Sequence, residues 1–248
     1  MTVGTVRIGC AGWSIPRQHA HLFGEGESVL ARYATRFDAV EVNSSFYRPH
    51  QARTYERWAA SVPRGFRFSV KVPKAISHEL RLRAAGDALD RFLGEAGSLG
   101  GKLGGYLLQL PPSLALDART ASAFFRAFRH RCQAPLACEP RHASWFSAQA
   151  EALLVRYAVS RVAADPAPVP EAATPAADPA WRYWRWHGSP RMYYSAYSDS
   201  ALRELAQRVM PGRRAATWVI FDNTAQGFAV ADAARLQALL DETLRGNG

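Results

Sequence analysis

At 248 residues, with 48% hydrophobic and 21% charged positions, the chain has the composition of a globular protein. It is long enough for a full core, as one large α/β domain or two smaller ones. No run of about 18 apolar residues occurs, so a membrane-spanning helix is not expected, and without a basic-then-apolar leader the default location is cytoplasmic. The net charge of +10 would suit a polyanion, but of 31 basic residues only Lys71, Lys74 and Lys102 are lysines, leaving 28 arginines that are scattered rather than gathered in a tract.

Strand-like and helix-like stretches then alternate along the chain. The first strand, 6–11, leads into "GW" and a loop carrying Trp13. The second, 38–43, ends in "VEVNSSFYR", with Val40 and Val42 on one face and Glu41 and Asn43 on the other, because side chains alternate along a strand. Phe46 and Tyr47 follow it. An amphipathic helix at 54–62 precedes the third strand, 66–72, whose polar parity is Ser69 and Lys71. A helix at 87–99 and a strand at 104–110 come next, the strand offering Gln109. A helix at 118–130 leads to the fifth strand, 135–140, which ends in Glu139 and runs on through Arg141, His142 and Trp145. Beyond a helix at 148–159, the sixth strand, 160–165, ends in Asp165. The segment 166–180, "PAPVPEAATPAADPA", is too rich in proline for a regular helix, and reads as a loop in place of a crossover helix. The seventh strand, 182–187, carries Arg185 and His187 opposite Trp184 and Trp186, and is followed by Tyr193, Tyr194 and Tyr197. A helix at 198–210, a last strand at 216–222 ending in Asp222 and Asn223, and a helix at 231–245 complete the chain.

Eight β/α alternations in this length predict a single (β/α)₈ barrel of TIM type over residues 1–248. In such a barrel the apolar parity faces the helices and the polar parity faces the axis. The polar residues cluster in the last positions of their strands, at the C-terminal mouth, where active sites of this fold sit. Simple filling by ion pairs is the plain alternative: Glu41 with Lys71, Glu139 with Arg185, Asp165 with Arg141. A barrel needs no charges for stability, however, and buried pairs are often no better than packed hydrophobic groups, so the convergence points to a pocket.

Glu41, Glu139, Asp165 and Asp222 are the candidate acids and bases, with Glu139 as general base and Glu41 as its partner acid. Lys71 would stabilise an oxyanion or form a Schiff base. Arg141, Arg185 and His187 suit a substrate carboxylate or phosphate. Asn43, Tyr47, Gln109, His142, Trp145, Tyr194 and Asn223 complete the substrate-binding set, the rings by stacking. Phosphate-loop, dinucleotide and H-E-x-x-H patterns are absent, so no cofactor is expected. A divalent metal held by mouth oxygen and nitrogen groups stays an open alternative. Cys10, Cys132 and Cys138 form no C-x-x-C and read as reduced thiols.

The blocks "IGCAGWS", "VEVNSSFYR", "FRFSVKVPKAISHE", "LGGYLLQLPPS", "CEPRHASWF", "WRWHG" and "FDNTAQGFA", in this order, resemble the domain-of-unknown-function 72 family, also called YecE-like. The resemblance covers nearly the whole chain and implies a TIM-barrel fold with a pocket, but no reaction. Family members often carry an asparagine pair where this chain has Asp222-Asn223, which implies a different pocket charge here. The residues favour an enzyme using general acid–base chemistry on a small polar or anionic, sugar-like molecule. The second reading is a nucleic-acid-binding or phosphodiester-processing protein. The oligomeric state is left open.

Overall fold

A computed structural model describes residues 5–209 and 215–246, so position 210 of the helical stretch expected at 198–210 lies outside the described residues. The elements run β1 (Val6–Cys10), α1 (Val29–Tyr33), β2 (Ala39–Val42), α2 (Ala52–Ala60), β3 (Arg67–Lys71), α3 (Gly86–Gly97), β4 (Leu103–Gln109), α4 (Ala118–Arg131) and β5 (Leu136–Glu139). They continue through α5 (Ala148–Arg156), β6 (Val159–Arg161), β7 (Ala163–Asp165), β8 (Ala176–Ala177), β9 (Trp181–Trp186), α6 (Asp199–Arg208), β10 (Ala216–Phe221) and α7 (Phe228–Gly246). Several helices start at side-chain caps: Ser28, Asp117, Ser147 and Ser198 each accept a hydrogen bond from a backbone N–H of the first turn. No helix among the described residues is long and apolar enough to cross a membrane.

The strand ladders form two mainly parallel sheets. One has the order β1-β10-β9-β7 and the other β2-β3-β4-β5-β6-β8, with only β8 antiparallel to its neighbour. Three details differ from the sequence expectation. The short α1 was not foreseen, since its five residues are too few to establish a period. The sixth strand is divided: β6 pairs with β5, whereas β7 pairs with β9, and only Val162 separates them. The proline-rich crossover carries no α-helix, as expected, but it contributes a 3₁₀ turn at Pro170–Ala173 and the strand β8.

The sheets approach each other at two seams. At one, the chain itself passes from β6 to β7, and Val162 N–H donates to the Cys138 carbonyl at 2.9 Å. At the other, Ala11 and Glu41 form a parallel bridge, and Gly12 N–H donates to the Glu41 carbonyl at 2.9 Å. Lower in this seam the buried Tyr33 hydroxyl stands between the strands. It accepts from Cys10 N–H at 2.8 Å and donates to the Ala39 carbonyl at 3.0 Å. Gly9 is required there, because a Cβ would lie 2.1 Å from the Ala39 carbonyl oxygen. Tyr33→Phe strands one backbone donor and one acceptor in a buried site. Each orphan costs about 1–3 kcal/mol, so we expect a loss of about 2–4 kcal/mol, read from the urea midpoint. A loss under 1 kcal/mol would mean that the seam repairs itself without the hydroxyl.

Strand parity sorts the core into two parts. Val40, Val42, Phe68, Val70, Leu108, Trp184 and Phe221 pack with helical residues such as Leu89, Phe92, Phe125, Phe128 and Leu205 in the larger cluster. Residues of the opposite parity, including Ala39, Leu107, Ala137, Tyr183, Trp218 and Ile220, make a smaller cluster contributed by both sheets. One step toward the C-terminal ends of these strands, on the same parity, the apolar residues give way to charge.

Candidate functional site

Glu41, Gln109, Glu139, Arg185 and Asp222 each stand two residues after an apolar member of the inner cluster, and Lys71 stands two after Ser69. Alternation therefore brings residues from β2, β3, β4, β5, β9 and the end of β10 to one place. Arg185, 0% exposed, is its centre. Its Nε and Nη2 donate to Glu41 at 3.0 and 2.8 Å, its Nη1 to Glu139 at 2.6 Å, and Nη2 also to Asp222 at 3.0 Å. Only a guanidinium carries enough donors, in a fixed plane, to serve three carboxylates from three strands.

The outer edge of the cluster is closed by His187 and Arg141. His187 lies between two carboxylates, Nδ1 3.0 Å from Asp222 and Nε2 3.2 Å from Glu139. Burial would push its imidazole down, but Glu139 and Asp222 overcome this and hold its pKa above the ordinary value. Arg141 folds back from beyond β5 to donate to Glu139 Oε1 from Nε and Nη2, at 3.1 and 2.9 Å. Burial would raise the Glu139 carboxyl, yet Arg185, His187 and Arg141 hold it well below the usual range. Asp222 is lowered in the same way, against burial, chiefly by Arg185. Beneath Glu41, Tyr183 donates to its Oε2 at 2.9 Å and meets Ser69 at 2.7 Å.

Lys71 behaves differently. No carboxylate oxygen among the described residues lies within 4.0 Å of it, and its ammonium sits 4.3 Å over the Phe46 ring. Burial, reinforced by Arg185, pushes its pKa down to about 8 against the pull of Glu41, Asp222 and Glu139.

Of the ion pairs expected from sequence, Glu139 with Arg185 forms. Glu41 takes Arg185 rather than Lys71, because the long guanidinium reaches across the interior while Lys71 leans on Phe46. Asp165 is not paired with Arg141: it accepts from the Tyr197 hydroxyl at 2.8 Å, and Arg141 is taken by Glu139 two residues earlier.

Other members of the expected set make no hydrogen bond to this charged cluster among the described residues. Trp145 is 1% exposed and donates Nε1 to the Leu114 carbonyl at 2.9 Å, so it anchors one loop to another. His142 uses Nδ1 to cap the turn Ala143–Phe146, accepting from Ser144 N–H. Tyr47 is 67% exposed and Tyr194 43% exposed, with Arg191 over the Tyr194 ring. Gln109 faces Glu139 in the β4–β5 register. Asn223 is fully buried and donates to Asp232 Oδ2 at 2.7 Å and to the Ser195 carbonyl at 2.9 Å, tying the 188–197 loop to α7. The Oδ1 atoms of Asn43 and Asn223 are buried without a partner among the described residues.

Sequence reasoning missed Tyr183, although its place two residues before Arg185 marks its face. It also missed Asp232, pushed up by burial to about 6, which no strand pattern could have revealed because it lies on α7. Beside the cluster is a pocket of about 160 Å³, lined by Glu139, Arg141, His187, Ala164, Pro166 and Met192 among others. Among the described residues no three His, Cys, Asp or Glu side chains are grouped to hold a metal. Cys10, Cys132 and Cys138 are free thiols.

Fold and site together define an α/β protein with a buried network of charges at the ends of its parallel strands. The chain belongs to the family described as Protein of unknown function DUF72, whose sequence profile matches residues 7–247. It is 34% identical over 106 residues to the UPF0759 protein YecE of Escherichia coli (strain K12), covering 43% of this chain and 38% of that protein. It is 28% identical over 153 residues to the UPF0759 protein YunF of Bacillus subtilis (strain 168), covering 57% and 52%. The match thus spans between two fifths and about half of these relatives' own lengths. Two crystal structures of DUF72 family proteins share the fold. The one from Enterococcus faecalis V583 has a TM-score of 0.81 at 24% identity, over 96% of both chains. The one from Thermotoga maritima MSB8 has 0.78 at 22%, over 95% of this chain and 99% of that one.

Proposed function

We propose that the two sheets are the halves of one TIM-type (β/α)₈ barrel in a single domain, with β6 and β7 as one strand and β8 as an addition. The support is the pair of seams: the Ala11–Glu41 bridge on one side and the continuous chain through Val162 on the other. The charged cluster then occupies the C-terminal mouth.

We further propose that this mouth is the active site of an enzyme that uses general acid–base chemistry on a small, polar, anionic, sugar-like molecule. One observation carries the reading: a buried lysine has no carboxylate within 4.0 Å among the described residues, beside a network in which Arg185, Arg141 and His187 each meet at least one. Structural filling uses complete pairs, because an uncompensated buried charge costs several kcal/mol, whereas a functional site retains such a group despite the cost. Glu139, saturated by two arginines and His187, acts as an electrostatic anchor, a different part from the general base expected of it. Lys71, whose pKa is lowered to about 8 by burial, is the proton-exchanging group, and Asp222 keeps Oδ1, which accepts no hydrogen bond among the described residues, for a polar group of the substrate. Arg141 and Tyr193, joined at 3.4 Å, hold the substrate's anion beside the pocket, and Tyr47 and Tyr194 offer stacking faces at the rim.

The test is a thermal-shift panel of sugar phosphates, sugar acids, nucleotides, short oligonucleotides and divalent metals. A ligand at 100 times its Kd stabilises by about 2.7 kcal/mol, roughly a 5–10 °C rise for this size of chain. A small anionic sugar is expected to give that rise, and Arg141→Gln to remove it. The net charge of +10 favours a second reading, a nucleic-acid protein. A rise confined to oligonucleotides and lost at moderate salt would establish that reading in place of the first.

A further inference from the structure

The chain's three lysines are held in three ways. Lys102 donates to the carbonyls of Val62 and Pro63. Lys74 is half exposed and pairs with Glu79 at 3.3 Å. Lys71 is 5% exposed, has its ammonium over the Phe46 ring, and feels the charges of groups from several elements. These are Arg185 from β9, Glu41 from β2, Glu139 from β5 and Asp222 after β10. His78, in the turn Ala75–Glu79, is close enough to both Lys71 and Arg141 that the two cations help to lower its pKa, after burial. Its ring also packs edge-on against Phe46, 5.0 Å between centres. The amine and the His78 ring thus share the Phe46 ring, within the field of Arg185.

We propose that Lys71 is a nucleophile that forms a Schiff base with an aldehyde or ketone bearing an anionic group, the anion resting on Arg141. The proposal rests on the active-site reading above and names its substrate class. An amine with a pKa of about 8 is neutral in about one molecule in ten at pH 7, against about one in 3,000 for a lysine at the ordinary 10.5. That difference of roughly 300-fold in reactive amine is what a covalent lysine requires.

The step balances without an external reagent. The Lys71 ammonium first loses its proton to solvent, and its lone pair then forms the C–N bond to the carbonyl carbon while the C=O π pair moves to oxygen. After nitrogen-to-oxygen proton transfer, a proton returned from solvent converts the hydroxyl into a departing water. The nitrogen lone pair completes a C=N⁺ bond, so ammonium plus carbonyl gives iminium plus water. The iminium then draws electrons from a bond at the adjacent carbon, which places the reaction among those that make or break a bond next to a carbonyl.

The experiment is reductive trapping of the full chain with glyoxylate, and separately pyruvate, in the presence of sodium cyanoborohydride at pH 7.5. Peptide mass mapping then follows Lys71, Lys74 and Lys102 individually. Lys71 is expected to be modified at least tenfold faster than Lys74, and Lys71→Arg to abolish that adduct while leaving the Lys74 rate unchanged. Modification of Lys71 at or below the Lys74 rate overturns the proposal, since a Schiff-base lysine must be reachable by a carbonyl compound. If small anions still raise the melting temperature in that case, the active-site reading stands and only the covalent step falls. If they do not, both fall.

Discussion

Arg185→Leu is expected to destabilise the protein by about 3–5 kcal/mol or more, a fall of roughly 6–20 °C in melting temperature. The guanidinium is fully buried and is shared by Glu41, Glu139 and Asp222 at 2.6–3.0 Å. Leucine fills part of the volume but leaves three carboxyl groups facing one another in a site with little water. Removing one partner of a single buried pair already costs this much, because the remaining charge keeps its desolvation penalty and loses its compensation. The pH dependence gives a second signature. Arg185 is a principal cause of the low pKa values of Glu139 and Asp222, each acting against burial. A carboxyl whose folded pKa is depressed stabilises the fold above its unfolded value, and this is lost as pH falls through the folded value. Wild type should therefore weaken from about pH 4.5 downward, and the variant should show little of that loss, having already forfeited the term. Adding Glu41→Gln to Arg185→Leu should recover part of the stability by removing one stranded charge. A single variant that loses under 1 kcal/mol in urea titration would mean that the cluster is not held together by this arginine.

The geometry of that cluster was partly written in the sequence. Glu41, Lys71, Glu139, Arg185 and Asp222 were legible as a set because each follows its strand's alternation to the last inward position, and alternation is a local property. Which group meets which was not legible. Glu41 meets Arg185 rather than Lys71, and Asp165 meets Tyr197 rather than Arg141. Those choices depend on side-chain reach and on how far neighbouring strands are staggered, neither of which is encoded within one strand. Trp145 and His142 resembled mouth residues because they follow Glu139 closely, but the chain turns at Pro140 into a capped 3₁₀ turn that carries them into loop packing. The parallel character of the strands followed from the helices between them. The division of the sixth strand did not, since it reflects two different partners on either side of Val162 and no change in composition.

Lys71→Met should stabilise the protein at pH 7. The three carboxylates of the cluster are taken up by Arg185, Arg141 and His187, and no carboxylate oxygen among the described residues lies within 4.0 Å of the lysine, so its ammonium has no direct counter-charge there. Its displacement from 10.5 to about 8 corresponds to about 3 kcal/mol of penalty for burying the ammonium. Methionine keeps the length and the apolar contact with Phe46 while removing that charge, and a gain of about 1–3 kcal/mol is the expected result. The sign of the pH dependence separates this cause from improved packing. Between pH 8 and 10.5 the folded wild type binds fewer protons at Lys71 than the unfolded chain does, so wild-type stability from this group rises across that window. The advantage of the variant should be constant below about pH 8 and shrink toward pH 10, measured as paired melting temperatures at pH 7 and pH 10. A gain of equal size at both pH values would point to packing alone, and a loss at pH 7 would show that the ammonium is paired in solution. A gain that fades with pH, together with loss of the carbonyl adduct, identifies a residue retained at the expense of stability, as expected where chemistry and not folding selects the side chain.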